Sequence, residues 1–389
     1  MNIALVNTKV KWPLVFLILI LPLYFKLPGG LQLPLFGFFA CFFYAIKSLL
    51  RNVKNFRLII FYSALTIIQI SLSPIISYDA FARKLAAIFV FIGTYSIFLT
   101  YYNQKYDKYL LISFGLVIAY AIYSAPSYIL GYQNYLIPGT CGINNISDIG
   151  HLRCSTFGEG NYFGGYVALL LLIYQRSSKF MILGFIGAII TWSPTPILIY
   201  FYSIYKLIIN KFWKKQPAVT ISSNILMLGL VLITLLNFQN IIELFSDISE
   251  RSSLGERFEF IRAGLFMWID HPLLGVGFGN FGYHLPEYTF FSHLIDRTLY
   301  EDSRFIPNNN ITEFLSEQGL IGFCFYIYIL NEVRKISHPI FSRVEIVILV
   351  LLIGLTMPTF FQIIIAALFG ILIAKYRPSS SISSNKTLE

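Results

Sequence analysis

Two polar stretches of this sequence hold its chemistry, and arginine is their common cation. Residues 131–160 contain Arg153, and residues 239–310 contain Arg257, Arg262, Arg297 and Arg304. A guanidinium is a planar fork of donors that grips phosphate or carboxylate oxygens in pairs and keeps its charge. Singly, each arginine could pair with Asp247, Glu256, Glu259 or Asp296, or sit against a lipid headgroup. As a set they point to an anionic substrate. Proton transfer would fall to Glu159 or to one of the histidines. His151, His271, His284 and His293 lack the close spacing that holds zinc, so no metal is expected. No Ser-His-Asp set or nucleophile elbow is legible.

Local patterns say how these groups are held. The run HLRCSTFGEGNYFGG (His151 to Gly165) leads into a helix near Asn161. Glu159 and Asn161 then sit where free backbone N–H groups and the helix dipole favour an anion; a plain Gly-rich helix start is the alternative. From Glu256 to Ile269, Phe258, Ile261, Leu265 and Trp268 recur at helical spacing, predicting an amphipathic surface helix with Arg257 near its start and Asp270, His271 and Pro272 at its end. The next run, HPLLGVGFGNF (His271 to Phe281), looks like a nucleotide-binding loop but follows a helix rather than a strand. A tight turn bringing backbone against a ligand or a neighbouring span accounts for it better. PNNNITEFLSEQGLIG (Pro307 to Gly322) closes the stretch with Asn308 and Asn309. Cys141 and Cys154 would brace the Arg153 loop if joined, and otherwise are two buried thiols; Cys41 and Cys324 read as packing residues.

The remaining sequence is apolar. Of 389 residues 56% are hydrophobic and 12% charged, against about a quarter charged in soluble domains. The fold class is therefore an all-α integral membrane protein, one polytopic domain over residues 1–389. Runs able to span are Trp12–Phe25, Leu31–Leu50, Phe56–Ile76, Lys84–Tyr102, Tyr109–Leu130, Asn161–Tyr174, Ile221–Phe238 and Ile311–Leu330. Two double-length runs, Phe180–Ile209 broken at Thr191–Pro196 and Arg343–Tyr376 broken near Pro358, bring the total to about 12 transmembrane helices. Trp12–Phe25 lacks a cleavage site and is expected to stay. Most of the 29 Lys and Arg fall in alternate loops, which places both termini in the cytoplasm and the two polar stretches outside. The net charge of +10 is thus topological, with no stripe for nucleic acid. The spans carry almost no charge and show no repeat, which argues against a transporter. A non-catalytic scaffold would not need arginines at motif spacing.

The polar loops resemble the O-antigen polymerase and O-antigen ligase superfamily of bacterial membrane glycosyltransferases. Arg153, ten residues and Gly164 look like the polymerases' Arg-x10-Gly pattern. Arg257 through HPLLGVGFGNF is similar to the family's arginine helix and Gly-rich turn. Asn308-Asn309, nine residues and then Gly319-Leu320-Ile321-Gly322 match its closing motif. Ligases place a catalytic His where Asn308 stands, and Asn cannot take a proton from a sugar hydroxyl, so the polymerase is favoured. The resemblance implies a GT-C-like membrane domain of the bacterial inner membrane with a large helical periplasmic loop, working without metal or cofactor. Donor and acceptor would be undecaprenyl-diphosphate-linked glycans among membrane lipids, with a chain-length regulator as a further partner. Expected catalytic residues are Arg153, Arg257, Glu159 and His284. Arg262, Arg304, Asn161, His271, Asn308 and Asn309 are expected to bind substrate. Tyr162, Tyr283 and Tyr288 either stack on sugars or anchor the interface.

Overall fold

The computed structural model describes residues 10–23, 33–51, 53–72, 76–129, 141–142, 153–154, 160–191, 194–212, 252–288, 307, 309–357, 360 and 362–377. The expected span Ile221–Phe238 lies outside them. The chain begins with α1 (Trp12–Ile20), α2 (Leu33–Ala40), α3 (Phe42–Arg51), α4 (Val53–Leu72), α5 (Tyr78–Tyr101) and α6 (Asp107–Ile129). Next come α7 (Gly160–Tyr174), α8 (Ser178–Thr191) and α9 (Pro194–Phe212), then α10 (Ser252–Asp270), α11 (Phe281–Tyr288), α12 (Asn310–Arg334), α13 (Arg343–Thr356) and α14 (Ile363–Tyr376). A short antiparallel pair, β1 (Cys141–Gly142) with β2 (Arg153–Cys154), sets Cys141 opposite Cys154 and Gly142 opposite Arg153. A directly opposed antiparallel pair brings its Cα atoms within disulfide range.

Polar residues stop and start the helices where the sequence offers caps. Ser77 accepts from the Ala80 N–H (3.3 Å) at the head of α5. Ser342 and Glu345 form a reciprocal capping box at α13, with bonds of 3.2 and 2.7 Å, satisfying two donors that the first turn leaves open. Both expected breaks are present, α8 giving way to α9 after Thr191 and α13 to α14 between Thr356 and Ile363. α14 is apolar all round, buried from Ile363 through Ile373, and forms the centre of the bundle against α5 and α7. Gly370 lets α5 approach: a Cβ there would lie 2.9 Å from the Tyr95 carbonyl oxygen.

Among the described residues two helices, Tyr78–Tyr101 and Gln104–Ser124, are long and apolar enough to cross a membrane. The run expected as one span over Leu31–Leu50 is built of α2 and α3, bent by 59°, which is either a broken span or a re-entrant loop. Lys84, expected at the mouth of a span, lies well inside α5 because the Ser77 cap starts that helix earlier. Ile311–Leu330 is not one straight helix either, and that departure shapes the site.

Candidate active site at a broken helix

α12 starts on Asn309, whose side chain accepts from the Thr312 N–H at 2.8 Å, and it breaks at Gly319, where φ is 61° and ψ −162°. Only glycine adopts that backbone without strain. The two arms bend strongly: the Phe314 ring lies 6.3 Å from Phe325 and 5.4 Å from Tyr326. Residues eleven or twelve apart on a straight helix would stand roughly 16–18 Å apart. A break inside an apolar bundle leaves carbonyls on one arm and N–H groups on the other unpaired, each costing several kcal/mol in lipid.

The Gly-rich turn supplies both sets of partners. Val276 and Gly277 donate their N–H groups to the Ser316 and Glu317 carbonyls at 2.7 and 3.2 Å. In the opposite sense, Leu320 and Ile321 donate to the Pro272 and Leu273 carbonyls at 2.9 and 3.2 Å. Gln69 of α4 reaches in with Nε2 to the Leu274 and Glu317 carbonyls at 2.8 and 3.0 Å. Such closeness requires two glycines. A Cβ on Gly275 (φ 66°) would strike the backbone of residues 316–318, and one on Gly319 the backbone of Leu273 and Leu274. The turn expected to press against a ligand or a neighbouring span therefore presses against α12. Asn280 holds its far end, donating Nδ2 to the Val276 carbonyl at 2.9 Å. Gly279 (φ 73°) packs on Ala80 of α5.

Three ionisable side chains are buried beside this joint. Lys84 of α5 donates to Glu313 Oε1 and lies 2.8 Å from Glu317 Oε2. Their side chains are 11%, 0% and 2% exposed for Lys84, Glu313 and Glu317. Glu313 Oε2 also accepts from the Phe360 N–H at 2.7 Å, and Glu317 accepts from the Gly279 N–H. The expectation that the spans hold almost no charge fails here. The signal was present in ITEFLSEQG, where two glutamates four apart share one face of an apolar helix; ionisable groups at such places mark function.

α10 carries the arginines and crosses the first arm of α12 at Gly264, where a Cβ would run into Thr312. Its buried stripe is Phe260, Ala263 and Met267, while Leu265 is 38% exposed. The face expected from Phe258, Ile261, Leu265 and Trp268 is therefore rotated, because close packing at Gly264 selects the small residues. Arg262 donates Nη2 to Glu259 Oε2 at 3.1 Å and to the Tyr288 carbonyl at 3.3 Å, which ties α10 to α11. Tyr288 OH donates to Asp270 Oδ2 at 2.8 Å, and burial, then Asp270, push its pKa up to about 12. His284 Nδ1 lies 3.1 Å from Glu287 Oε2, and His271 is exposed at the end of α10. Arg257 and Asn161 are placed by backbone on α10 and α7, and Arg153 on β2. Glu159, Arg304 and Asn308 lie outside the described residues. Of the expected set, Arg262, His271, His284 and Asn309 thus fall on α10, the α10–α11 hairpin and the head of α12. Among the described residues no group of three His, Cys, Asp or Glu is arranged to hold a metal ion.

Residues 179–327 match the family model described as O-antigen ligase, running from α8 to the second arm of α12. Over that stretch the match supports a likeness to the O-antigen ligase/polymerase superfamily. Members of the O-antigen ligase/polymerase superfamily are glycosyltransferase-like enzymes of O-antigen synthesis that act on lipid-linked glycans in membranes. The match and the apolar helices both point to a membrane protein. The O-antigen ligase match takes in the arginine helix, the docked turn and the broken helix; Arg153 precedes it. No match was found among curated proteins.

Proposed function

We propose that the protein is an O-antigen or related surface-polysaccharide polymerase. It joins undecaprenyl-diphosphate-linked repeat units at the outer face of the bacterial inner membrane, in a GT-C-like domain of about 12 spans with both termini cytoplasmic. The observation that carries this reading is the sequence ahead of α12, where Asn308 stands in place of a ligase's histidine and Asn309 after it serves as helix cap. In the reaction, an acceptor hydroxyl oxygen attacks the anomeric carbon of the donor glycan. The bond from that carbon to the diphosphate breaks, and the carrier diphosphate leaves. Arg153 and Arg257 stabilise the charge on the leaving group, an electrostatic role that needs neither metal nor cofactor. Arg262, Arg304, His271, Asn161, Asn308 and Asn309 bind substrate around it. The hydroxyl proton passes to His284, oriented by Glu287, or to Glu159. A chain-length regulator is a further partner of this activity.

The matched family's description favours a second reading, the ligase. The buried charges on α5 and α12 favour a third, a transporter of the same lipid-linked sugars. Deleting the gene in the source strain and separating surface and carrier-linked glycans on gels distinguishes them. A polymerase deletion leaves surface lipid with core plus one repeat and no ladder. Long chains accumulating on the carrier over bare core identify a ligase, while single repeat units retained on the inner face identify a transporter. Complementation with Arg257→Ala should leave the ladder absent, since loss of one fixed donor to developing charge costs about 10²–10³-fold in rate. Arg257→Lys should restore little, because an ammonium lacks the two-pronged grip.

A further inference from the structure

We propose that Lys84 is a positioning residue of the transfer site, fixing the first arm of α12 and the Gly-rich turn through Glu313 and Glu317. The inference rests on the reading of α10–α12 as the active site. Lys84 stands on α5, an apolar helix long enough to cross the membrane, and its ammonium meets two carboxylates one turn apart on residues 310–318. Each carboxylate also holds a second segment. Glu313 takes the Phe360 N–H from the connection between α13 and α14, and Glu317 takes the Gly279 N–H from the turn. One ammonium thus ties together α5, the short arm of α12, the α13–α14 connection and the turn.

The arm so held begins at Asn309 and touches α10 at Gly264, the helix that bears Arg257 and Arg262. Moving the arm moves the arginine helix with it. A buried ion pair adds little net stability over well-packed apolar residues, so what this cluster supplies is geometry. At 11% exposure Lys84 itself does not contact substrate and acts through the groups it holds.

The test uses the full chain in lipid nanodiscs with undecaprenyl-diphosphate-linked repeat units, reading kcat, KM, melting temperature and amide exchange at Val276, Gly277, Leu320 and Ile321. Lys84→Met should lower kcat by about 10²-fold, the cost of roughly 1 Å of misplacement, with KM little changed and exchange at all four amides faster. Lys84→Arg should recover most of kcat. The neutral triple variant Lys84→Met, Glu313→Gln, Glu317→Gln should regain the melting temperature while kcat stays low and exchange fast, which a purely structural ion pair would not do. Wild-type kcat in Lys84→Met, or full turnover in the triple variant, overturns the proposal. If the wild-type protein extends no glycan, the functional reading fails instead. Exchange then judges the clamp alone, and unchanged rates at the four amides in Lys84→Met overturn it.

Discussion

His338, in the connection between α12 and α13, shows how much one side chain settles locally. Its Nε2 faces the Leu172 carbonyl at 3.0 Å, and its Nδ1 faces the Phe341 and Ile340 N–H groups at 3.1 and 3.3 Å. A carbonyl only accepts and an N–H only donates, so the ring is neutral with its proton on Nε2. Burial lowers its pKa to about 4 from the usual 6.5, and Arg176 pushes the same way against the Leu172 bond. The unfolded chain therefore takes up a proton near pH 6.5 that the folded chain refuses until about pH 4. Stability from this residue is complete above pH 6.5 and lost as pH falls toward 4. Melting temperature in detergent should drop across that window, and His338→Phe should flatten the drop while costing about 1–3 kcal/mol for the backbone groups left unpaired. A slope unchanged by the substitution would count against this assignment.

At the scale of elements, the broken α12 and the turn that seals it make a sharp prediction. Gly275→Ala or Gly319→Ala should each cost about 3 kcal/mol or more, from left-handed backbone and steric overlap together. The double variant should cost less than the sum, since the second change strikes a joint already open. Melting temperatures of the three variants in one detergent check both claims, and strict additivity would mean the two glycines do not share a joint. Much of this was legible beforehand. The spacing of residues 256–269 gave a helix, GVGFG a tight turn against a neighbour, and Thr191 and Pro358 the breaks in their long runs. The break in α12 was hidden because SEQG sits in an apolar stretch, and a lone glycine there reads as ordinary packing. Its meaning depends on Leu273 and Leu274, more than forty residues away in sequence, and no local pattern encodes that contact. The buried face of α10 was misread for a similar reason: Gly264 looks neutral until α12 lies across it.

Over the whole molecule, the chain separates two kinds of polar chemistry. One end of the bundle is closed by local ties. Lys375 meets Asp107 at 2.9 Å, Tyr376 OH donates to the Ile173 carbonyl at 2.6 Å, and Arg176 reaches the Pro339 carbonyl. The other end gathers the turn, the arginine helix and the asparagine cap. In the proposed topology, drawn from the Lys and Arg bias along the sequence, these would be the inner and outer ends. A cysteine placed at His284 in a background free of other cysteines should react with an impermeant maleimide in intact cells, whereas one at His338 should react only after permeabilisation. The reverse pattern would invert the topology. The contacts between the Gly-rich turn and α12 were not readable without coordinates, because they are set by helix packing. The joint between turn and helix also bears on descent. Gly275 lies against the backbone of residues 316–318 and Gly319 against that of Leu273 and Leu274, so a larger residue at either is harmful whatever stands at the other. Neither glycine offers a first step toward a different arrangement, and related sequences should inherit the pair together or have lost the broken helix entirely.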